Sequence, residues 1–314
     1  MEYRNLGNTG LKVSIVGIGC NNFGRRCDAV ATAAVVDAAL DAGVNFFDSA
    51  DIYGPNGLSE EYLGQAIKGK DRSSVIIASK FANPMGAGDL MRGASRRYIM
   101  NAVDASLKRL GTDYIDLYQQ HVPDDPTPIE ETLRALDDLV RSGKVRYIGH
   151  SNFSGWQLTD AHWTARHHGL NPFVTAQNHY SLIDRRIEKD VVPAAQHFGI
   201  GILPYFPLAS GLLTGKYQRG EAAPQGTRLA AWGERGAAAL SEQNFAIVDK
   251  LTAFAQAHDR TLLELAMSWL ATKPYISSVI AGATSAVQVE QNAAAAAWRL
   301  SDAEMAEVNV LSTR

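Results

Sequence analysis

Cysteine is nearly missing from this chain: Cys20 and Cys27 are the only two in 314 residues. So few thiols exclude a disulfide scaffold and make a reducing compartment the default, although two suffice for one bond. A basic excess is missing as well. Lys and Arg number 30 against 33 Asp and Glu, a net charge of −3 with no Lys/Arg run. That excludes the broad basic face of a non-specific nucleic-acid binder. No uncharged apolar stretch reaches about 18 residues, so no membrane span is expected. Met1–Thr9 lacks the apolar core of a secretion signal. No Pro/Gly/Ser-rich linker divides the chain, so one domain over 1–314 is expected, although length alone allows two. What is present is 46% hydrophobic and 20% charged residues, enough to bury a large core. The composition leaves a soluble, cytoplasmic enzyme or nucleotide-binding module.

The organisation repeats: a short β-branched run, a polar loop, then a helical stretch. Strands are expected at Val16–Gly19, Asn45–Asp48, Val75–Lys80, Tyr114–Gln120, Val145–Ser151, Phe173–Gln177, Gly201–Tyr205 and Ile276–Ala281. These runs are apolar without clean alternation, as in strands covered on both faces. Helical patterns lie between them, and two more, 261–271 and 301–311, are surplus to the alternation. Thr127-Pro128-Ile129-Glu130, Thr261–Glu264 and Ser301–Glu304 read as capped helix starts. Eight strand–helix units with right-handed crossovers predict an α/β (β/α)8 barrel, with a doubly wound open sheet as competitor. Tyr3–Leu6 and Lys12–Val13 flank Asn8-Thr9-Gly10 and predict a hairpin ahead of the first strand. Gly215–Gly236, rich in Gly, Ala, Arg and Glu, is long for a connector and reads as a lid or a mobile segment.

Several familiar motifs fail. Gly17-Ile18-Gly19-Cys20-Asn21-Asn22 lacks the third glycine of a Rossmann fingerprint. Gly211–Tyr217 imitates a phosphate-binding loop, but its spacing is one short and Tyr217 replaces the magnesium-holding hydroxyl. Gly149-His150-Ser151-Asn152-Phe153 fails the nucleophile elbow at Phe153. No metal-binding HExxH exists, and His162, His167 and His168 read as a solvated helix face.

One constellation survives. In a (β/α)8 barrel, chemistry gathers at the C-terminal ends of the strands. Asp48 and Lys80 end the second and third barrel strands, Tyr53 follows Asp48 in its loop, and His121 follows the fourth strand. A lysine at the end of an apolar strand needs a buried partner, and Asp48 can supply it. Tyrosine, with an ordinary pKa of about 10, donates a proton poorly near neutrality unless a cation lowers that value. Lys80 would favour the phenolate, Asp48 would keep Lys80 charged, and His121, neutral or charged, would polarise a substrate oxygen. Tyr53 would then be the general acid towards a carbonyl, or base towards an alcohol. With no nucleophile or metal in the set, the electrons must come from a cofactor, and hydride transfer is the natural reaction.

Asn45-Phe46-Phe47-Asp48-Ser49-Ala50-Asp51-Ile52-Tyr53-Gly54 resembles the first signature of the aldo-keto reductases. The likeness runs on through Ala78-Ser79-Lys80, Asp113–His121, Gly143–Asn152, Pro204–Lys216 and Val279–Thr284. It implies a (β/α)8 barrel with an N-terminal hairpin and extra C-terminal helices. It also implies NADP(H), or NAD(H), bound without a Rossmann domain, and a catalytic tetrad of Asp48, Tyr53, Lys80 and His121. Under this resemblance Ser151, Asn152 and Gln177 hold the nicotinamide carboxamide. Tyr205 stacks on the ring with Phe206 beside it, while Gly19, Cys20, Asn21 and Asp48 pass alongside. Leu208, Ser210, Gly211 and Lys216 line the pyrophosphate. Gly282, Thr284, Ser285, Gln288, Gln291 and Asn292 meet the adenosine end, at a helix N-terminus that favours an anion.

Many family members carry Lys and Arg at the positions of Gly282 and Gln288, where they grip the 2′-phosphate. Neither charge is present here, so the choice between NADPH and NADH stays open, with Ser285 and Gln288 as uncharged donors. A branch similar to potassium-channel β subunits uses such donors. Phe206 replaces a common Ser, and His150 stands where a smaller residue is usual. The expected function is reduction of aldehydes or ketones, with a redox-sensing regulatory subunit of little turnover as the alternative. A barrel isomerase would leave Ser151, Asn152 and Gln177 unexplained. Pocket walls are expected from Asn22–Arg26, Asn83–Gly93, His121–Pro126 and Gly215–Gly236, with Arg25 and Arg26 either attracting an anionic substrate or, more commonly for such residues, solvated at the surface. The expected partner is a small-molecule carbonyl, with no nucleic acid and no membrane. A monomer is favoured over a homo-oligomer because no exposed apolar stripe declares itself.

Overall fold

The computed structural model describes residues 1–313. The chain opens with an antiparallel hairpin, β1 (Tyr3–Asn5) and β2 (Lys12–Ser14). Eight parallel strands follow: β3 (Val16–Gly19), β4 (Phe46–Asp48), β5 (Ile76–Phe81), β6 (Ile115–Gln120), β7 (Val145–Ser151), β8 (Thr175–Gln177), β9 (Gly201–Ile202) and β10 (Val279–Ala281). Each pairs with the next in sequence up to β9, and β10 returns to lie beside β3. Bridges Ile202–Ile276 and Tyr205–Ile280 join the two remaining edges. That ring closure decides for the barrel over the open sheet. Every residue of β5 and β6 is buried, which is why these strands read as continuous runs instead of alternating ones.

Around the ring lie α1 (Ala29–Asp41), α2 (Leu58–Ile67), α3 (Arg96–Leu110), α4 (Ile129–Arg141), α5 (Gly155–His168) and α6 (Val191–Phe198). They are followed by α7 (Arg228–Ala231), α8 (Glu234–Ala239), α9 (Glu242–Ala257), α10 (Leu262–Ala271), α11 (Ala286–Ala295) and α12 (Asp302–Leu311). No helix among the described residues is long and apolar enough to cross a membrane.

The hairpin plugs the N-terminal end of the barrel. Leu6 and Val13, both fully buried, pack into the interior with Phe46, Ile76, Leu117, Leu203 and Ile280. Gly7 makes the approach possible: its φ is +56°, and a Cβ there would stand 2.3 Å from the Val174 carbonyl oxygen. With the floor sealed by side chains, a ligand can enter only at the opposite, C-terminal mouth.

Two surplus helices carry full capping boxes as expected, Thr261 with Glu264 on α10 and Ser301 with Glu304 on α12. The third expected cap is corrected. Pro128, without a side-chain bond, stands at the N-cap of α4, and Thr127 Oγ1 donates instead to Asp124 Oδ2 at 2.6 Å. The 215–236 segment is also more ordered than a bare loop. Thr227 caps α7 by accepting from the Ala230 N–H, and α8 begins within the same stretch.

Candidate active site

The tetrad residues converge at the barrel mouth. Lys80, fully buried at the end of β5, donates to Asp48 Oδ2 at 2.7 Å and to the Ser49 carbonyl at 2.8 Å. Its Nζ lies 3.4 Å from the Tyr53 hydroxyl and 4.8 Å from the centre of that ring. The His121 ring meets Tyr53 edge-on, with centroids 5.6 Å apart.

Burial and charge set the protonation states. Burial works against the Lys80 ammonium, but Asp48 and Tyr53 beside it outweigh that and raise Lys80 above its ordinary value. Lys80 therefore stays charged. Tyr53 departs from the sequence expectation. Burial pushes its phenol up, Lys80 pulls it down, Asp48 pushes up again, and the net direction is upward. The group is a proton donor by default, because desolvation outweighs the neighbouring cation. Burial, and then Lys80, hold His121 well below the usual histidine range, so its ring is neutral at pH 7.

These groups open onto a cavity of about 910 Å³. Tyr53, His121 and Asp48 line its deep end, and Lys80 stands behind Tyr53. Gly19, Asn21, Ser151, Asn152, Gln177, Tyr205 and Phe206 form the adjoining wall. Leu208, Ser210, Gly211 and Lys216 continue it, and Gly282, Thr284, Gln288, Gln291 and Asn292 close the far end. Two expected residues do not face the cavity. Cys20 is fully buried, with its Sγ turned to the Ile18 carbonyl. The Ser285 hydroxyl caps α11 by accepting from the Gln288 N–H. The Asn83–Gly93 segment is likewise absent from the cavity wall.

The backbone of this wall is unusual. Asn152, Phe206, Ala209 and Ser210 all hold positive φ, between 46° and 62°, a conformation that costs non-glycine residues energy and concentrates at functional sites. Asn152 is fixed by its own amide. It donates to the His121 carbonyl and Ser151 Oγ, both at 3.0 Å, and accepts from the Tyr205 hydroxyl at 2.8 Å. Tyr205 is backed by His179, whose ring is stacked at 14° with centroids 5.5 Å apart. One face of the Tyr205 ring is thus occupied.

The sequence reading gives no role to Arg228. Arg228 lines the cavity and donates to Asn21 Oδ1 at 3.0 Å and Asn22 Oδ1 at 3.3 Å. Arg26 lines it too, and donates to the Gly226 carbonyl across the mouth. It is a wall residue and not merely a solvated one. Together they tie the 215–236 segment to the turn after β3. With Lys216 they form a cation cluster: burial and then the charges of Arg26 and Arg228 push Lys216 down, with no carboxylate among the groups acting on it. No spacing signal marks Arg228, which reaches the site only through the path of its loop.

A dinucleotide fits this donor set. Lys216 and Arg228, with no carboxylate among the groups acting on them, and Arg26 beside them call for an anion, the Tyr205 ring offers a platform, and amide and hydroxyl groups line much of the rest.

A sequence model of the Aldo/keto reductase family matches residues 15–312. A probable voltage-gated potassium channel subunit beta of Arabidopsis thaliana is 39% identical over 93% of this chain and 90% of its own length. An uncharacterized oxidoreductase of Bacillus subtilis is 38% identical over 92% of this chain and 89% of its own. The L-glyceraldehyde 3-phosphate reductase of Escherichia coli K12 is 34% identical over 93% and 86%. Everything that follows the hairpin, including all the strands that aim the cavity residues, falls within the matched region, and the chain belongs to the aldo/keto reductase family of oxidoreductases.

Proposed function

We propose that the chain reduces aldehyde or ketone carbonyls to alcohols with NADP(H). The single observation that carries this reading is the Tyr53 hydroxyl. It is a half-buried proton donor at a cavity wall, 3.4 Å from a lysine that Asp48 holds charged. When bound, the nicotinamide cofactor supplies the hydride. Tyr53 delivers a proton to the carbonyl oxygen as negative charge develops there, and neutral His121 offers the same oxygen a hydrogen bond. Lys80 stabilises the phenolate left behind, and Asp48 keeps the ammonium in place.

Tyr205 provides the stacking surface for the nicotinamide, with Ser151, Asn152 and Gln177 near its carboxamide. Lys216, Arg228 and Arg26 take the pyrophosphate, which NADPH and NADH share. The same reading has the chain act as one domain on a small-molecule substrate.

The relatives named as potassium channel subunits support a second reading, a cofactor-binding regulatory subunit with little turnover. Mixing the protein with NADPH and a reactive aromatic aldehyde, and following nicotinamide absorbance, separates the two. Turnover that disappears in Tyr53→Phe supports the reductase. Tight NADPH binding without turnover supports the regulatory subunit.

A further inference from the structure

Behind the tetrad, the barrel interior holds a second polar pair. Gln119, on β6, is fully buried. Its Nε2 donates to Asp48 Oδ1 at 3.2 Å, and its Oε1 accepts from Thr175 Oγ1 at 3.4 Å. Register explains the meeting. Lys80 of β5 stands beside Gln119, Gln119 beside Gly149 of β7, and Gly149 beside Thr175 of β8. All four share one layer of the barrel.

Gly149 is the gap through which the pair forms. A Cβ at that position would lie 2.0 Å from Thr175 Oγ1 and 3.3 Å from Gln119 Cγ. A side chain there would separate the amide from the hydroxyl.

Every side-chain contact to Asp48 is a donor. Gln119 and Gln177 give Oδ1 amide protons at 3.2 and 2.9 Å, and Lys80 gives Oδ2 its ammonium at 2.7 Å. This pattern satisfies a carboxylate and gives a carboxylic acid nowhere to place its proton. Asp48 only accepts, so the Gln119 NH2 must face it, and the Thr175 hydroxyl, free to donate, anchors Oε1 on the other side.

We propose that Gln119, oriented by Thr175 across the gap at Gly149, is a positioning residue that holds Asp48 ionised and aimed at Lys80. It touches neither substrate nor cofactor and acts through Asp48, Lys80 and Tyr53 in turn. Gln177 cannot replace it, because Gln177 lines the cavity wall and is open to exchange with a ligand, whereas Gln119 is sealed beneath. Losing the Gln119 donor leaves Asp48 Oδ1 to Gln177 alone and frees the carboxylate to turn, so Lys80 is held less firmly and supports Tyr53 less. The inference rests on the reductase reading for its catalytic consequence, but not for its effect on Asp48.

The test therefore has two readouts. The first needs no turnover: the carboxyl ¹³C resonance of Asp48, identified by its loss in Asp48→Asn, is compared between wild type and variants at pH 7. In Gln119→Leu it should move, because Oδ1 loses one of its two amide donors, and in Thr175→Val it should move less in the same direction. Superimposable Asp48 resonances in wild type and Gln119→Leu overturn the proposal, whether or not the protein turns over. The second readout is the pH profile of NADPH-dependent reduction. Gln119→Leu should lower kcat about tenfold with KM for NADPH within about twofold. Gln119→Glu should recover activity at acid pH, where the introduced carboxyl is protonated and donates as the amide does, and lose it as pH rises. A pH-independent loss in Gln119→Glu overturns the proposal. The double variant Gln119→Leu/Thr175→Val should be no worse than Gln119→Leu alone, because both act on one contact. Additive losses contradict that. If the wild type reduces no aldehyde, the functional reading fails while the Asp48 resonance still decides the role of Gln119. Thr175→Val preserves side-chain volume and keeps the test open should Gln119→Leu not fold.

Discussion

Tyr53 carries the proton in the proposed reaction, so Tyr53→Phe should lower kcat by about 10²- to 10⁴-fold, the usual contribution of a positioned general acid. Dinucleotide affinity, read from fluorescence quenching, should stay within about twofold, since the ring remains. Lys80→Met should be worse for the fold. It leaves the Asp48 carboxylate buried without its cation, and breaking such a pair costs about 3–5 kcal/mol, measurable by denaturant unfolding. Both residues are legible from the sequence, because a charge at the end of an apolar strand needs a reason. The direction of the Tyr53 shift is not. A lysine nearby suggests a lowered phenol, but burial acts more strongly, and depth is a property of packing alone.

Among the elements, the 215–236 segment shows how far local pattern reaches. Its length and composition single it out, but the partners of Arg228 lie on the turn after β3, far away in sequence. Arg228→Met should weaken NADPH binding about tenfold or more and flatten its dependence on ionic strength, checked by fluorescence titration at two salt concentrations. Where a helix start is written in adjacent residues, the reading is secure. Thr261→Ala removes the capping box of α10 and should cost about 1 kcal/mol in thermal or chemical melts. The cap of α4 differs from the expected one because Asp124, three residues upstream of Thr127, takes its hydroxyl. A cap is a competition between acceptors, and the nearer motif does not always win.

At the scale of the molecule, two buried titratable groups shape stability in opposite directions. His150 lies between Phe153 and Phe173 with neither ring nitrogen bonded, and burial pushes its pKa down to about 3. The unfolded chain takes up that proton below about pH 6.5, so stability falls between about pH 6.5 and 3, by up to about 1.4 kcal/mol per unit. Burial, and then Glu60, push Asp51 up to about 8. Its acid form is the one the fold prefers, so its contribution is full below about pH 4 and lost as pH rises through about 8. His150→Phe should flatten the acid side of the stability–pH curve and Asp51→Asn the basic side, both measured by chemical denaturation across pH.

By itself the sequence determined the alternation of strands and helices, the residues at the strand ends and the boxes that start α10 and α12. Each of those is encoded in side chains that are neighbours along the chain. Ring closure was decided only by tertiary structure, because Ile202 and Ile276, or Tyr205 and Ile280, meet across more than 70 residues. The same holds for the cation cluster of Arg26, Lys216 and Arg228, and for the layer in which Gly149 lets Gln119 reach Thr175. Burial and register are sums over the whole barrel, and they set which form of each group is stable and which distant groups share a proton.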